Sequence, residues 1–191
     1  MKDLECFFRP ESIAAIGVSR QSGFSWGRGV LDNLVGAGFK GKIYPVHPQA
    51  EEISGIRAYP DLASIPGEVD LAVITVPVGS VPQALDDCAQ KGIKGVILIT
   101  AGYAETFKGK GLQAELTEMA KRSGMRIVGP NVSGIFNVSA NLDASILNHA
   151  YLSDTPIAFI CQGGYAVHDL NYRSYNKGMG VGKFLHTGNE C

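Results

Sequence analysis

Short, nearly unbroken apolar runs recur along the chain at Ile13 to Val18, Ile43 to Val46, Leu71 to Val76, Val96 to Ile99, Ile127 to Val128 and Ile157 to Ile160. Apolarity that is continuous, not alternating, predicts strands buried on both faces, as in a parallel sheet. The stretches between these runs carry helical spacing. Val30, Leu31, Leu34 and Val35 share one face and stop at Gly38. Val81, Ala84, Leu85, Cys88 and Ala89 repeat the pattern, with Ser80 as N-cap, Pro82 in the first turn and Gly92 past the end. Leu112, Leu116, Met119 and Ala120 form another stripe, closed by Gly124. Strand and helix alternate, which predicts an α/β fold with a Rossmann-like, doubly wound parallel sheet.

The segment Asn131 to Thr155 breaks this rhythm. It is polar, rich in Asn and Ser and without helical stripes, so a domain boundary is expected inside it, near Ser153 to Pro156. Residues 1–153 then form one domain, and 154–191 the incomplete start of a second. After the break the grammar restarts, with a strand at Ile157 to Ile160, a tight loop at Cys161 to Gly164, a helix over Tyr165 to Lys177 stopped by Gly178, and a strand over Val181 to Leu185. One strand-helix-strand unit is too little for an independent core. The rest of that domain is expected from outside this chain, or from packing on the first domain or a partner.

Composition narrows the function classes. The 191 residues are 45% hydrophobic and 18% charged, with 24 glycines, in keeping with a turn-rich globular α/β chain. A net charge of -1 leaves no electrostatic footprint for nucleic acid or an anionic membrane, so a phosphorylated ligand must be held by local groups. Cys6, Cys88, Cys161 and Cys191 include no C-x-x-C pair, and three of them sit in or beside apolar runs and read as core. The start, MKDLECFF, lacks the apolar region of a signal peptide, and no run approaches the ~20 residues of a membrane span. A cytoplasmic protein is expected, and homo-oligomer formation stays open.

The chemistry-bearing residues cluster where strands end. Gly17, Gly23, Gly27 and Gly29 do not match G-x-G-x-x-G. They do leave a glycine at a strand end, hydroxyls at Ser19 and Ser22, and a following helix N-terminus, a combination suited to phosphate, with Arg20 able to add a charge-assisted contact. An ordinary surface loop is the plainer reading. NAD binding further asks for a carboxylate at the end of the second strand, where this chain has Val46, His47 and Pro48 instead. That shifts the expectation towards a phosphorylated ADP. Val76 and Pro77, and then Ile99, Thr100 and Ala101, end the next two strands and are expected to line the crevice. Glu105 is read either as orienting a reacting partner or as a dipole complement in a first helical turn. Asn131 follows the turn at Gly129 and Pro130. Gln162, Gly163 and Gly164 make a second anion-loop candidate, with a tight turn as the alternative. His47, His149, His168 and His186 have no partners at metal-site spacing, and no G-x-S-x-G elbow is present, so neither a metal site nor a catalytic residue is assigned.

The wording of FFRPESIAAIGVS, LVGAGFKGKIYPVHP, AYPDLASIPGEVDLAVITVP, ITAGYAE and MRIVGPN resembles the amino-terminal CoA-binding domain of the NDP-forming acyl-CoA synthetases. This group contains the ADP-forming acetate–CoA ligases and, more distantly, the succinyl-CoA synthetase α subunit, and the resemblance runs from Phe7 to about Asn137. It implies a Rossmann-like CoA domain followed by a flavodoxin-like domain. It places the CoA phosphates and ribose on Ser19, Arg20, Gln21 and Ser22 beside Gly17 and Gly23, with further contacts from Val46, His47, Pro48, Val76 and Pro77. The pantetheine arm passes Ile99, Thr100 and Ala101 towards Asn131. The family reaction joins a carboxylic acid to CoA at the expense of a nucleoside triphosphate, through an acyl phosphate and a phosphorylated histidine.

Departures from the family pattern qualify this. Its S-Q-S-G phosphate cradle is here Cys161, Gln162, Gly163 and Gly164, its V-N-P is Val46, His47 and Pro48, and the cysteine after G-P-N is Val132. The phosphorylated histidine lies downstream of the segment matching Gly188, Asn189 and Glu190, and the ATP-grasp domain or subunit, with its ATP, ADP and Mg, is expected outside this chain. The sequence therefore supports a CoA-holding part of an acid–thiol ligase, not competent alone for the full reaction. A stand-alone CoA- or nucleotide-binding sensor or docking module is the alternative, and an NAD-binding domain the weaker one.

Overall fold

The structure is a computed structural model that describes residues 4–20, 25–49, 51–147, 153–163 and 166–191. Five parallel strands form the central sheet: β1 (Ser12–Ile16), β2 (Lys42–Val46), β5 (Leu71–Ile74), β6 (Gly95–Leu98) and β7 (Arg126–Val128), in the order β2-β1-β5-β6-β7. A small hairpin, β3 (Glu52–Ile53) with β4 (Ile56–Arg57), sits between β2 and β5 in sequence. The order reverses at β1, so the crevice predicted for such a sheet opens beyond the carboxyl ends of β1 and β5. Every residue of β1, β5 and β6 is buried, as continuous apolarity demands.

The two faces are covered differently. On one, Ala14, Ile74 and Leu98 pack with Leu85 and Cys88 of α3 (Val81–Lys91) and Leu116 of α4 (Lys110–Ser123). On the other, Ile13, Val73 and Ile97 meet Phe7 of the short α1 (Glu5–Phe8) and Val30 and Leu34 of α2 (Trp26–Gly36). The same face also receives Ile135, Leu142 and Ala144, from a stretch that lacks helical periodicity. That stretch is an antiparallel hairpin, β8 (Gly134–Asn137) with β9 (Leu142–Ser145), joined to β11 (Lys183–His186) and then β10 (Ala158–Cys161) in a second, four-stranded sheet. Period-two alternation sends Ile135 into the first core and Phe136 the other way, onto Phe184, with the rings stacked at 5.4 Å. One face of the second sheet thus serves the first sheet as a covering layer.

Helix ends follow the predicted glycines. Gly92 and Gly124 adopt left-handed φ of 79° and 71° immediately after α3 and α4. Ser80 does precede α3, but its side chain makes no capping bond, because a 3₁₀ turn at Val78–Ser80 feeds directly into the helix. The last helix, α5, spans Ala166–Tyr175. Of the cysteines, only Cys88 is buried; Cys6, Cys161 and Cys191 are partly exposed. Among the described residues no helix is long and apolar enough to cross a membrane.

Candidate functional site

The end of β1 and the start of α2 meet at two glycines. Gly17 has φ of +92°, and a Cβ there would lie 2.9 Å from the Val76 nitrogen. A Cβ on Gly27 would lie 2.6 Å from the Gly17 carbonyl oxygen. Backbone therefore passes against backbone, and the helix is seated on the sheet as closely as the missing side chains allow. Ser25 caps α2 by accepting the Arg28 N–H at 3.2 Å. Arg20 is exposed on the loop between, and its guanidinium has no ion-pair partner among the described residues. Gln21, Ser22 and Gly23 lie outside the described residues.

The carboxyl ends of the other strands are tied together through backbone. The Thr75 hydroxyl donates to the Ile16 carbonyl at 2.9 Å, and the Thr100 hydroxyl to the Val76 carbonyl at 2.7 Å. The Asn131 N–H donates to the Thr100 carbonyl at 3.0 Å, from a left-handed φ of 61° that Asn tolerates better than most residues. Val46, the last residue of β2, is buried, and His47 just beyond it is half-buried, its Nδ1 accepting the Gln49 N–H at 3.1 Å.

A cleft of about 550 Å³ opens between the two sheets. From the first come Trp26 at the start of α2, Ile99, Thr100, Ala101 and Asn131; from the second, Ile146, Leu147, Gln162, Gly163, His186 and Asn189. Six of the residues singled out from sequence thus share one cavity: Ile99, Thr100, Ala101, Asn131, Gln162 and Gly163. Pro48 lines a different recess of about 760 Å³, with Glu51, Glu52 and Arg57. Gly17, Ser19, Arg20, Val46, His47, Val76 and Pro77 line neither, although they belong to the strand ends bordering the crevice. Gly164 lies outside the described residues, as do His149 and the side chain of His168.

His186 is a cleft residue to which sequence reasoning gave no role. It is buried, its Nδ1 accepts the Ser133 N–H at 2.7 Å, and its Nε2 bonds to the Gln162 carbonyl. A ring that accepts at Nδ1 and donates at Nε2 is neutral in one defined tautomer. Burial lowers its pKa below the ordinary histidine value, opposed by the bond to Gln162. The ring rivets the loop after β7 to the loop after β10. Only its place at an apolar strand end signalled it.

Glu105 is not in a helical turn, because α4 begins at Lys110. It folds back within its own loop, its Oε1 accepting the N–H groups of Gly102 and of Tyr103, the latter at 3.0 Å, and its Oε2 accepting from the Asn189 amide. Partial desolvation raises its pKa, but the Gly102 N–H, the Asn189 amide and further backbone donors outweigh it and hold the carboxyl below its ordinary range. In the second loop the Cys161 thiol donates to the Gly163 carbonyl at 3.2 Å, and burial pushes its pKa up. That disfavours a nucleophilic thiolate. Among the described residues no three His, Cys, Asp or Glu side chains form a group able to hold a metal ion.

Comparison with known proteins agrees with this geometry. The family model described as a CoA binding domain matches residues 11–137. The chain is 43% identical over 187 residues to the α subunit of the ADP-forming acetate–CoA ligase II of Pyrococcus furiosus, covering 97% of this chain and 40% of the relative. It is 34% identical to the ADP-forming 4-hydroxybutyrate–CoA ligase of Nitrosopumilus maritimus, covering 95% of this chain and 26% of that one. Among solved structures, the dinucleotide-forming acetyl-coenzyme A synthetase 1 of Ca. Korarchaeum cryptofilum, in complex with phosphate and ADP, superposes with a TM-score of 0.92 at 37% identity. That match covers 100% of this chain and 40% of the solved one. The chain therefore spans well under half the length of these relatives, yet matches them in both of its sheets. A family model over most of the chain and a shared fold at this identity establish that the chain belongs to the CoA-binding-domain family and is related to the ADP-forming acyl-CoA ligases.

Proposed function

We propose that this chain is the CoA-holding part of an NDP-forming acyl-CoA synthetase in the cytoplasm, which converts an acid, CoA and a nucleoside triphosphate into acyl-CoA, the nucleoside diphosphate and phosphate. The observation carrying this reading is the cleft between the two sheets, walled by the ends of β6 and β7 and opening towards the glycine-seated start of α2. In this reading Gly17, Ser19 and Arg20, with Gln21, Ser22 and Gly23, meet the phosphates and ribose. Val46, His47, Pro48, Val76 and Pro77 border the nucleotide. The pantetheine arm runs down the cleft past Ile99, Thr100 and Ala101 to Asn131. Gln162 and Gly163 line its far end, where the second sheet faces the reacting end of the arm, and Gly164 is assigned to the same anion loop from sequence. No carboxylate stands at the end of β2, which disfavours NAD.

The remaining chemistry, phosphorylation of a histidine by a nucleotide held in an ATP-grasp domain or subunit, is assigned to no residue of this chain. The acid is open as well, since one relative is named for acetate and another for 4-hydroxybutyrate. Calorimetric titration with CoA, dephospho-CoA, NAD and ATP tests the reading. CoA binding is expected; NAD binding with no detectable CoA binding would overturn it. Arg20→Ala is expected to weaken CoA more than dephospho-CoA, because only CoA carries the 3′-phosphate. Equal weakening would remove Arg20 from that contact.

A further inference from the structure

Asn189 follows β11 and reaches back across the cleft with every polar group it has. Its N–H donates to the Pro130 carbonyl at 2.9 Å, and its carbonyl accepts from Gln113 Nε2 at 3.0 Å. Its side-chain Oδ1 accepts from Asn131 Nδ2 at 3.3 Å, while Nδ2 donates to Gln113 Oε1 at 3.2 Å and to Glu105 Oε2. Its partners come from the loop after β6, from α4 and from the turn after β7, at sequence separations of 84, 76 and 58 residues. Gly188 permits this approach. A Cβ there would sit 2.3 Å from the Pro130 carbonyl oxygen, and its φ of +63° already favours glycine.

Glu105 continues the chain of contacts to the cleft wall. By accepting the N–H groups of Gly102 and Tyr103 it sets the backbone just past Ala101, and Gln113 Oε1 holds the next N–H, that of Ala104, at 3.1 Å. Ala101 and Asn131 line the cleft from the first sheet and Asn189 from the second. Glu105 itself is not among the residues lining the cleft.

We infer that Glu105 and Asn189 form a latch that sets the width of the cleft at its pantetheine end, acting as positioning residues for the arm and not for the nucleotide. The inference rests on the CoA reading above. Those of the residues proposed to meet the nucleotide that the structure describes stand at the ends of β1, β2 and β5, and none of the latch bonds reaches them. Opening the latch therefore changes the binding of a ligand that has an arm and spares one that lacks it.

The experiment titrates the full chain and its Glu105→Gln and Asn189→Ala variants with CoA and with adenosine 3′,5′-bisphosphate, which carries the nucleotide alone. Gln keeps an acceptor for Gly102 and Tyr103 but loses the charge facing the Asn189 amide. Each variant is expected to bind CoA about tenfold more weakly, the size of one charge-assisted hydrogen bond, with the bisphosphate unchanged. The double variant is expected to lose no more than the worse single one, as for two residues acting through one contact. Unchanged bisphosphate binding doubles as the check that each variant is folded. Equal weakening of both probes, CoA affinity unchanged in both variants, or losses that add in the double variant would each overturn the latch. A wild-type chain that binds neither probe would instead remove the CoA reading, and the latch with it.

Discussion

Gly27→Ala and Gly29→Ala are the same substitution two residues apart in α2, and their environments give them opposite signs. Alanine improves on glycine in a helix by up to about 1 kcal/mol. A Cβ at Gly29 would have the Ile146 carbonyl oxygen at 3.9 Å as its nearest neighbour, an ordinary contact. Gly29→Ala should therefore stabilise the protein, raising the melting temperature by about 2–4 °C for a chain of this size. A Cβ at Gly27 would lie 2.6 Å from both the Gly17 carbonyl oxygen and the Thr75 hydroxyl. The first is backbone at the end of β1, and the second is engaged with the Ile16 carbonyl, so neither yields easily. Ordinary contact requires α2 to retreat by roughly 0.8 Å, and overpacking of this kind costs about 1–3 kcal/mol, more than the helix gains. Gly27→Ala should lower the melting temperature and, because Trp26 moves with the helix, weaken CoA in calorimetry. Thermal and urea denaturation followed by circular dichroism decide the signs. If the Gly27 variant proved as stable as the Gly29 variant, the close seating of α2 on the sheet would be refuted.

Three other side chains carry distinct expectations. Asn33 on α2 donates to the Ser145 and Leu147 carbonyls at 2.8 and 2.7 Å, so Asn33→Ala should cost about 1–3 kcal/mol in urea denaturation and weaken CoA by loosening the Ile146–Leu147 wall. Asp143 is buried, and desolvation raises its pKa to about 7 despite two bonds from Ser145. The folded state holds that proton while an unfolded Asp releases it near pH 4, so its contribution is complete below about pH 4 and lost as pH rises through about 7. Asp143→Asn should gain stability relative to wild type across that interval and keep the gain at pH 8; parallel pH–stability curves would contradict this. His186 has the opposite sign, since its depressed pKa makes its contribution complete above about pH 6.5 and lost as pH falls through the folded value. His186→Asn should flatten the acid limb of the curve, and an unchanged limb would show that the ring does not titrate between the two states.

The central sheet was legible because its signal is local. Leu71–Ile74 and Gly95–Leu98 are buried on both faces, and continuous apolarity is the direct imprint of that burial. The hairpin was not, because its signal is distributed. Leu142–Ser145 reads L-D-A-S, a poor strand by propensity, and every one of its residues is buried. Asp143 and Ser145 satisfy each other there, and Ser145 is further held by an asparagine 112 residues earlier in the chain. Strand character in such a segment comes from its neighbours and not from its own composition. The site divides in the same way. Thr100, Ala101 and Asn131 could be placed because carboxyl ends of parallel strands point into the crevice. His186 and Asn189 act through partners 24 to 84 residues away, and the bond that ties Glu105 to Asn189 spans 84 residues, which no local pattern records.

The polarity of the segment from Asn131 to Thr155 predicts a domain boundary inside it, near Ser153 to Pro156; in its first half the polar residues have a structural role of their own. Ser133, Asn137, Asp143 and Ser145 are all buried. The Ser133 N–H meets His186, and Asn137 donates to the Phe8 carbonyl at 2.8 Å, 129 residues away. Buried polar groups are costly unless paired, so their persistence along one hairpin makes the pairing itself specific: a slip of one residue would orphan several of them at once. The alternation of Ile135 and Phe136 between two different cores reinforces the same register. The two sheets are therefore held in register by hydrogen bonds, and the cleft between them inherits its shape from those bonds. A ligand lying in that cleft touches both sheets, so whatever tightens its fit must also tighten the register.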